Sequence, residues 1–383
     1  MKVIVVASLT RSLFNFRFAL LRKMVENGCD VVACAPDDDP QIIEKLTSID
    51  VKFVKISMDR AKTNPLSDIK TLRNLVSLYK SEKPDLVLAY TQKPIIWGGI
   101  AARLAGIDNF YAMNSGLGYV YSPDNKNTTL IKFVSFLYRL SVARAKAVFV
   151  FNRDDPEDMV QHGILDNTDK VIQVPGSGVD LTRFPAKSVP DGPMVFLMVA
   201  RLLRAKGVAE YAAAAKIVKR DFPDSKFHLV GGFDANPSCI SKEELDEWTS
   251  EGVIDYFGEQ RDVVPFLSDC TVYVLPTILR EGLPRSVLEA MAIGRAIITT
   301  DVPGCREPII DGENGFMVPP KDPQAIANAM IKFSRDPSLS KKMGERSLHL
   351  ARTKYAVEIV NEQLLNAMKL DRASIDNRRN EGR

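Results

Sequence analysis

The sequence predicts an α/β protein with two doubly wound parallel sheets. Short apolar, β-branched runs alternate with helical patterns of about 10–15 residues along the chain. Continuous apolar strands separated by helices are typical of parallel sheets that are covered on both faces. The runs fall into two series, separated by residues 184–193, where prolines and glycine interrupt the periodicity. Two series predict two Rossmann-like domains.

Each series supplies the strands of one sheet. The first series comprises Val3–Ala7, Val31–Ala35, Phe53–Ile56, Leu86–Ala89, Phe110–Met113, Val148–Phe151 and Val171–Val174. The second comprises Val195–Val199, Phe227–Val230, Ile254–Phe257, Val272–Leu275, Ala296–Thr299 and Phe316–Val318. We therefore place the first domain at 1–183, a linker at 184–193 and the second domain at 194–371, whose last helix is a candidate for packing back on the first domain. Residues 372–383 form a polar tail, and we expect its last residues to be disordered.

The composition excludes several classes of protein. The chain has 383 residues, of which 45% are hydrophobic and 26% are charged, as in soluble globular proteins. No apolar run reaches the length of about 18 residues that indicates a membrane-spanning helix. The five cysteines and three histidines are scattered, so neither a disulfide framework nor a zinc site is expected. A net charge of +3 is too small to indicate nucleic-acid binding.

The most informative segment is Glu281–Glu289, which follows a predicted strand and leads into an apolar helix. Eight residues are a little over two helical turns, so the two carboxylates face roughly the same way. Backbone N–H groups at the helix N-terminus between them favour phosphate. Carboxylates that accept sugar hydroxyls, beside amides that accept phosphate, suit a sugar nucleotide. The alternative is a capped surface helix with two unrelated acids.

Other loops that follow predicted strands carry matching chemistry. Arg201 and Lys206 flank the turn into a helix, which suits a diphosphate. The glycine pair that opens Gly231–Cys239 permits close approach of a ligand, and the backbone of Gly258–Asp262 can face a base. Asp301–Glu307 closes the next strand. Because ligands bind beyond the carboxyl ends of the strands, these loops predict a site in a cleft that the two domains face. Each loop alone is also compatible with an ordinary surface turn.

With these residues the chain resembles the retaining glycosyltransferases of family four, which have the GT-B fold. The resemblance covers nearly the whole chain and is carried by Val174–Phe184, Arg201–Gly207, Glu281–Ala292 and Asp311–Pro320. Within the family, the chain is most similar to bacterial enzymes that add a sugar to an undecaprenyl-diphosphate-linked acceptor. Ser115–Tyr119, Gly231–Cys239 and Glu281–Ser286 carry this further similarity.

The resemblance implies roles for the donor-binding residues. Arg201 and Lys206 would hold the donor diphosphate and neutralise the leaving group. Glu281 would contact the donor sugar, and these three residues form the predicted catalytic set. Glu289 would accept hydrogen bonds from the ribose hydroxyls. The remaining implied donor-binding residues are Gly207, Gly232, Phe233, Gly258, Arg261, Gly282, Leu283, Pro284 and Arg285. Because Pro284 lacks an N–H group, we expect it at the first helical position.

Two departures from the family concern the acceptor side. Where some relatives carry a histidine after the fourth strand, this chain has Thr91–Pro94, so a histidine base at that place is not expected. The first loop, at residues 8–17, lacks the usual glycine pair. The predicted acceptor-binding residues are Arg11, Asn15, Arg17, Thr91, Lys93, Gly116 and Tyr119. Each of the charged residues is also compatible with an ordinary surface position.

The implied function is transfer of a hexose or N-acetylhexosamine to an undecaprenyl-diphosphate-linked saccharide in surface-glycan assembly. The first choice of donor is UDP-N-acetylgalactosamine. The partners are then a UDP-sugar, a polyprenyl-diphosphate-linked acceptor and an anionic membrane surface, with no nucleic acid. The protein would be cytoplasmic and peripheral on the inner face of the inner membrane. Basic, aromatic-bearing segments at 14–23 and 128–146 suit such a surface, although core packing is their commoner use.

The expected mechanism is front-side displacement without a cofactor or a metal. Asp37–Asp39 is interpreted as a solvated turn and not as a metal site. Two alternatives stay open. A UDP-N-acetylglucosamine 2-epimerase-like enzyme would share the fold but lacks the Glu281 and Glu289 pattern. A nucleotide-sugar-binding subunit without catalytic activity would keep the binding residues but show no turnover.

Overall fold

The chain forms two compact α/β units. A computed structural model describes residues 1–59, 65–121, 126–234, 236 and 238–381, except for the side chains of Pro65, Tyr119 and residues 379–381. Residues 1–177 and 358–383 make up the first unit, and residues 178–357 make up the second. Each unit contains one parallel sheet, which confirms the predicted fold class.

All the predicted strands are present, with small shifts at their ends. The first unit contains β1 Lys2–Val6, β2 Asp30–Ala35, β3 Val51–Lys55, β4 Leu86–Tyr90, β5 Phe110–Met113, β6 Ala147–Val150 and β7 Val171–Gln173. The second contains β8 Val195–Val199, β9 Lys226–Val230, β10 Asp255–Tyr256, β11 Val272–Leu275, β12 Ala296–Thr300 and β13 Gly315–Val318. The central strands β4, β5, β6, β11 and β12 are buried along their whole length, because helices cover both faces of each sheet.

Most of the helices connect consecutive strands. Those after the strands of the first sheet are α1 Thr10–Ser12, α2 Phe18–Glu26, α3 Pro40–Thr47, α4 Pro65–Glu82, α5 Gln92–Ala105, α6 Thr128–Val142 and α7 Asp155–Gln161. Those of the second unit are α8 Val208–Asp221, α9 Lys242–Ser250, α10 Val264–Asp269, α11 Arg285–Ile293, α12 Pro323–Arg335 and α13 Ser338–Thr353. The chain then continues through α14 Val357–Ala367 and α15 Arg372–Glu381. Among the described helices, none combines the length and hydropathy that a membrane span requires.

The strand order places a switch point in each sheet. The first sheet has the order β3-β2-β1-β4-β5-β6-β7, and the second has the order β10-β9-β8-β11-β12-β13. The direction of winding reverses between β1 and β4 in the first sheet and between β8 and β11 in the second. Loops on either side of such a reversal leave in opposite directions and open a crevice at the carboxyl ends of the strands.

The predicted linker at 184–193 belongs to the second unit by residue contacts. Phe184 is buried, and the N–H of Lys187 donates to the carbonyl of Ile293 at 3.0 Å. The guanidinium of Arg295, which is fully buried, donates to the carbonyls of Lys187 and Ser188 at 3.2 and 3.0 Å. These bonds hold a segment whose sequence shows no periodicity, so composition alone did not reveal its attachment.

The polar segment predicted as a tail at 372–383 contains the helix α15. The Asp371 carboxylate accepts a hydrogen bond from the N–H of Ser374 at 2.9 Å, which begins the helix, and Ile375 is buried. Before α15, the carbonyl of Leu370 accepts a hydrogen bond from the Asn27 amide at 2.9 Å. One apolar side chain and a capping carboxylate thus order a segment that is otherwise polar. Residues 382–383 lie outside the described residues.

Gly99 allows α5 and α6 to pack closely. A Cβ at this position would lie 2.2 Å from Ser141 Oγ and 2.7 Å from a ring carbon of Phe110. We expect Gly99→Ala to lower the free energy of unfolding by about 1–3 kcal/mol through overpacking, although alanine favours a helix more than glycine does. Urea unfolding of the variant would measure the change. A higher midpoint than that of the wild type would show that helix propensity dominates instead.

Candidate active site

The loops after β8 and β11 meet at the switch point of the second sheet. The carbonyl of Ala205, in the first of these loops, accepts two hydrogen bonds from the second. The donors are Thr277 Oγ1 at 3.0 Å and the N–H of Ile278 at 2.9 Å. The structure therefore joins the two loops in which the sequence places Arg201, Lys206 and Glu281.

Gly207 makes this junction sterically possible. It has a positive φ of 81° at the end of a 3₁₀ turn over Arg204–Lys206, immediately before α8. A Cβ at this position would lie 2.1 Å from the carbonyl oxygen of Pro276. Only glycine fits both the backbone angle and the space. The predicted donor-binding role of Gly207 is thus accompanied by a structural one, which is to bring Lys206 against the second loop.

Lys206 and Glu281 form an ion pair at the centre of the site. Lys206 Nζ donates to Glu281 Oε1, and the two side chains are only 17% and 20% exposed. Gly304 supports Glu281 from behind, because its φ is 83° and a Cβ there would lie 2.1 Å from the Glu281 carbonyl oxygen. The N–H of Glu281 also donates to the carbonyl of Pro303 at 3.1 Å. The loop after β12 therefore fixes the backbone of the residue whose carboxylate holds Lys206.

Arg201 lies closer to solvent and has a different partner. Its Nη1 donates to Asp234 Oδ2 at 2.6 Å, with 61% of the arginine side chain exposed. Asp234 follows the glycine pair at the end of β9, and sequence analysis did not select it. An acid two residues after the loop glycines was the available signal. The pair holds the guanidinium at the carboxyl edge of the sheet in an orientation that a bound anion can share or take over.

Glu289 is the most deeply placed acid of the site. It lies on α11 and accepts a hydrogen bond from Arg285 Nε at 3.0 Å, and only 14% of its side chain is exposed. Burial raises the pKa of Glu289 above the ordinary glutamate value, while the nearby guanidinium groups of Arg285 and Arg183 oppose that shift. Sequence analysis missed Arg183, whose available signal was its position three residues after Asp180 in the Val174–Phe184 motif.

The remaining predicted donor residues lie at the same edge of the sheet. The N–H of Gly231 donates to the carbonyl of Gly258 at 2.8 Å, which links the loops after β9 and β10. Gly232 adjoins Glu259, Phe233 is half exposed, and Arg261 is exposed. In the next loop, Gly282 and Pro284 are buried and Leu283 is partly buried.

Pro284 takes the N-cap position of α11, so the prediction of the first helical position was wrong by one residue. Its ψ of 116° is extended, and its carbonyl already accepts a hydrogen bond from the N–H of Val287 at 3.2 Å. The helix itself begins at Arg285. The missing N–H of proline costs nothing at either position, which is why the sequence did not distinguish them.

The predicted acceptor residues of the first loop differ strongly in exposure. Arg11 is exposed and Asn15 is partly exposed. Arg17 is buried, with its guanidinium carbon 5.0 Å from the ring centroid of Tyr90 and 5.6 Å from that of Phe151. It ends a π-helical turn over Leu13–Arg17 that directs the side chain inward. The expectation of an accessible phosphate ligand at Arg17 is therefore corrected to a cation–π contact inside the first unit.

Thr91 is strained at the end of β4. Its φ is 66° and its ψ is 156°, an uncommon conformation for a β-branched residue. Within the described part of the chain, its buried Oγ1 has no hydrogen-bond partner. Lys93, in the first turn of α5, pairs with Asp68 at 3.2 Å. Strain of this kind is often stored at functional sites, and Thr91 is one of the predicted acceptor-binding residues.

The predicted loop after β5 begins at a buried polar network. Asn114 Nδ2 donates to Asp155 Oδ2 at 3.0 Å, and both side chains are buried. Gly116 follows with a φ of 108°. The side chain of Tyr119 lies outside the described residues. The network links the carboxyl end of β5 to α7 and so holds the start of the loop.

Each carboxylate of the Asp37–Asp39 run has a structural partner. Asp37 Oδ1 accepts from the N–H of Thr10 at 2.7 Å, Asp38 pairs with Lys55 at 2.9 Å, and Asp39 caps α3. Across the described ranges, no group of three or more histidine, cysteine or acidic side chains is arranged to hold a metal ion. Metal independence stays a prediction.

Both units match known families. Residues 2–152 match the glycosyl transferase 4-like family, and residues 181–349 match the glycosyl transferases of group 1. The chain is 30% identical over 342 residues to N,N'-diacetylbacillosaminyl-diphospho-undecaprenol alpha-1,3-N-acetylgalactosaminyltransferase of Campylobacter jejuni, covering 86% of this chain and 88% of the relative. The chain belongs to the family-four glycosyltransferases.

A second relative and a solved structure agree with this family. This glycosyltransferase is 29% identical to an Escherichia coli UDP-Gal:alpha-D-GlcNAc-diphosphoundecaprenol alpha-1,3-galactosyltransferase, covering 72% of this chain and 73% of that relative. The crystal structure of Anabaena Alr3699/HepE in complex with UDP superposes with a TM-score of 0.77 over 96% of this chain and 99% of that chain. At 18% identity this likeness concerns the fold, which is GT-B.

Proposed function

We propose that this glycosyltransferase moves an N-acetylhexosamine from a UDP-sugar to an undecaprenyl-diphosphate-linked saccharide in surface-glycan assembly. UDP-N-acetylgalactosamine is the first choice of donor, because the Campylobacter relative is named for transfer of that sugar at 30% identity. The Escherichia coli relative is named for a galactose donor and also for an acceptor linked to diphosphoundecaprenol. An acceptor of this kind implies work at the cytoplasmic face of a membrane, with the enzyme peripheral to it.

One observation supports the proposal above the others. At one edge of the second sheet, Lys206 pairs with Glu281, and most of its side chain is buried. Arg201 lies in the same loop with most of its side chain exposed. These two cations can neutralise a leaving diphosphate. Glu289, one to two turns inside α11, supplies an acceptor for ribose hydroxyls. The arrangement suits a nucleoside diphosphate whose sugar points toward Glu281.

The proposed reaction is a front-side displacement. The bond between the anomeric carbon and the diphosphate oxygen breaks, and the acceptor hydroxyl oxygen forms its new bond on the same face. The acceptor proton passes to an oxygen of the departing diphosphate, which Arg201 and Lys206 retain. A double displacement would require a carboxylate nucleophile at the anomeric carbon. Glu281, the acid nearest to this position in the proposal, is engaged by Lys206.

The raised pKa of Glu289 predicts a pH dependence of donor binding. Burial raises this pKa above 4.5, the ordinary glutamate value. The carboxylate therefore becomes protonated at a higher pH than an exposed glutamate does. The protonated form accepts hydrogen bonds less strongly, so UDP affinity should decrease as the pH falls. Titration calorimetry from about pH 5 to about pH 8 would measure the affinity for UDP.

Glu289→Gln is the control for this prediction. The variant should bind UDP about tenfold more weakly at neutral pH, since hydrogen bonds to charged groups are stronger than neutral ones. Its remaining pH dependence comes from UDP itself and from other groups. Equal pH profiles for the wild type and the variant would show that Glu289 does not titrate with donor binding.

The proposed function is tested by acceptor-dependent release of nucleotide. Purified protein would meet a panel of UDP- and GDP-sugars in EDTA, with and without a short-chain polyprenyl-diphosphate-linked saccharide. We expect release of UDP from one N-acetylhexosamine donor only when the acceptor is present, and we expect it to persist in EDTA. Tight UDP binding without release from any donor would favour a binding-only subunit. Acceptor-independent release with a change in the sugar would favour a 2-epimerase.

A further inference from the structure

Three neighbouring helices of the first unit carry exposed apolar side chains. α4 packs on α5, and α5 packs on α6, on one face of the first sheet. Among the side chains that the structure describes, ten large apolar ones are exposed, and five of these lie on the three helices. They are Leu66, Ile69, Leu104, Phe133 and Phe136. We call the exposed face of these helices the α4–α6 surface. Phe133 and Phe136 are 59% and 57% exposed and occupy adjacent positions on α6.

The α4–α6 surface is also strongly basic. Its exposed cations are Lys70, Arg73, Lys80, Arg103, Lys132 and Arg139. The three helices contain only two acids, Asp68 and Glu82, and each is 15% exposed. Lysines neutralise both acids: Lys93 pairs with Asp68, and Lys2 and Lys52 pair with Glu82. The one acid that meets an exposed cation of this surface in the described residues is Asp166, which pairs with Arg139 from outside the helices.

We infer that the α4–α6 surface binds an anionic lipid bilayer. Exposed aromatic side chains among lysines and arginines enter the headgroup region, while the cations contact lipid phosphates. The absence of exposed acids from these helices removes the repulsion that an anionic surface would otherwise meet. The inference rests on the proposed function in one respect, because a polyprenyl-linked acceptor requires the enzyme at a bilayer. Binding to vesicles is nevertheless measurable without any sugar transfer.

The other basic, aromatic segment of the sequence contributes little to this surface. In residues 14–23, Leu20 and Leu21 are buried in the core of the first unit. Arg22 and Lys23 pair with Glu26 at 3.7 and 3.2 Å. Phe16 is the one large apolar side chain of this fully described segment that is exposed, against five on the α4–α6 surface, so the membrane contact is assigned to the α4–α6 surface.

Vesicle co-sedimentation of the full chain tests the inference. The vesicles contain phosphatidylglycerol and phosphatidylethanolamine, or phosphatidylcholine alone as the uncharged comparison. We expect binding to the anionic vesicles that weakens with salt, and a fall of about tenfold or more in the Phe133→Gln/Phe136→Gln and Lys70→Glu/Arg73→Glu variants. The matched control is Ile310→Gln/Lys341→Glu/Lys342→Glu, which changes exposed residues of the second unit. It should bind as the wild type does.

Several results would overturn the inference. They are wild-type affinity in both surface variants, an equal loss in the control, absence of binding to anionic vesicles, and a change from dimer to monomer in the variants that accounts for the loss. Transfer assays separate this inference from the proposed function. The surface variants should keep their rate on a short soluble acceptor and lose rate on an acceptor embedded in vesicles. If the wild type binds anionic vesicles but transfers sugar to neither acceptor, the proposed function fails and the surface assignment stands.

Discussion

Replacing Arg201 with glutamate should lower the rate of sugar transfer by about 10²–10³-fold, the usual effect of removing one preorganised group that stabilises charge in the transition state. Arg201 stands beside the expected diphosphate and is largely exposed, with Asp234 as its ion-pair partner. Because little of its side chain is buried, the free energy of unfolding should remain nearly unchanged. Steady-state rates with the best donor, combined with urea unfolding, would measure both quantities.

Arg204→Glu is the matched control for this prediction. Arg204 belongs to the same loop, is 52% exposed and pairs with Glu244 at 2.5 Å, so it shares the charge and environment of Arg201. Its partner Glu244 lies on α9, whereas Lys206 pairs with Glu281. We expect a change in rate of less than about fivefold for this variant, because exposed charges are screened. Similar losses in both variants would assign the effect to the general positive potential of the loop.

Replacing Arg295 with methionine should lower the free energy of unfolding by about 3–5 kcal/mol, as expected when a buried charged group that is fully hydrogen-bonded is removed. The guanidinium is fully buried and donates to five backbone carbonyls. These are the carbonyls of Lys187, Ser188, Leu267, Ser268 and Gly294. Without the arginine, most of them lose a donor that water cannot replace. Chemical unfolding followed by circular dichroism would measure the loss.

Arg346→Met provides the comparison for Arg295. Arg346 pairs with Glu313 at 3.1 Å, but both side chains are well exposed, and such pairs contribute about 0–1 kcal/mol. A loss at Arg295 no larger than that at Arg346 would contradict the prediction. It would mean that the segment at 187–188 detaches without cost to the second unit.

The fold was predictable because its signals are local. Continuous apolar runs such as Val272–Leu275 have one stable use, which is as strands buried on both faces. The loops of the site were predictable for the same reason. A strand that ends in glycines, cations or acids places those residues at the carboxyl edge of a parallel sheet, as Arg201 and Glu281 show.

The partners of those residues were not predictable. Nothing near Arg17 in the sequence distinguishes a buried cation from an exposed phosphate ligand, since both occur beside aromatic residues. Asp234 pairs with Arg201 from 33 residues away, and Arg183 approaches Glu289 from an even more distant loop. The positive φ of Thr91 gives no signal either, because threonine is an ordinary residue in most loops.

The sequence by itself determined the α/β class, the two sheets, the family and the order of the loops that carry the site. Each of these depends on residues within a few positions of one another, where periodicity and motif spacing decide the structure. Tertiary structure alone decided which charges pair, how deeply Glu289 is buried, where residues 184–193 attach, and that α4, α5 and α6 form one basic apolar surface. Those properties depend on distances between segments far apart in the chain, and packing sets such distances only when the whole unit folds.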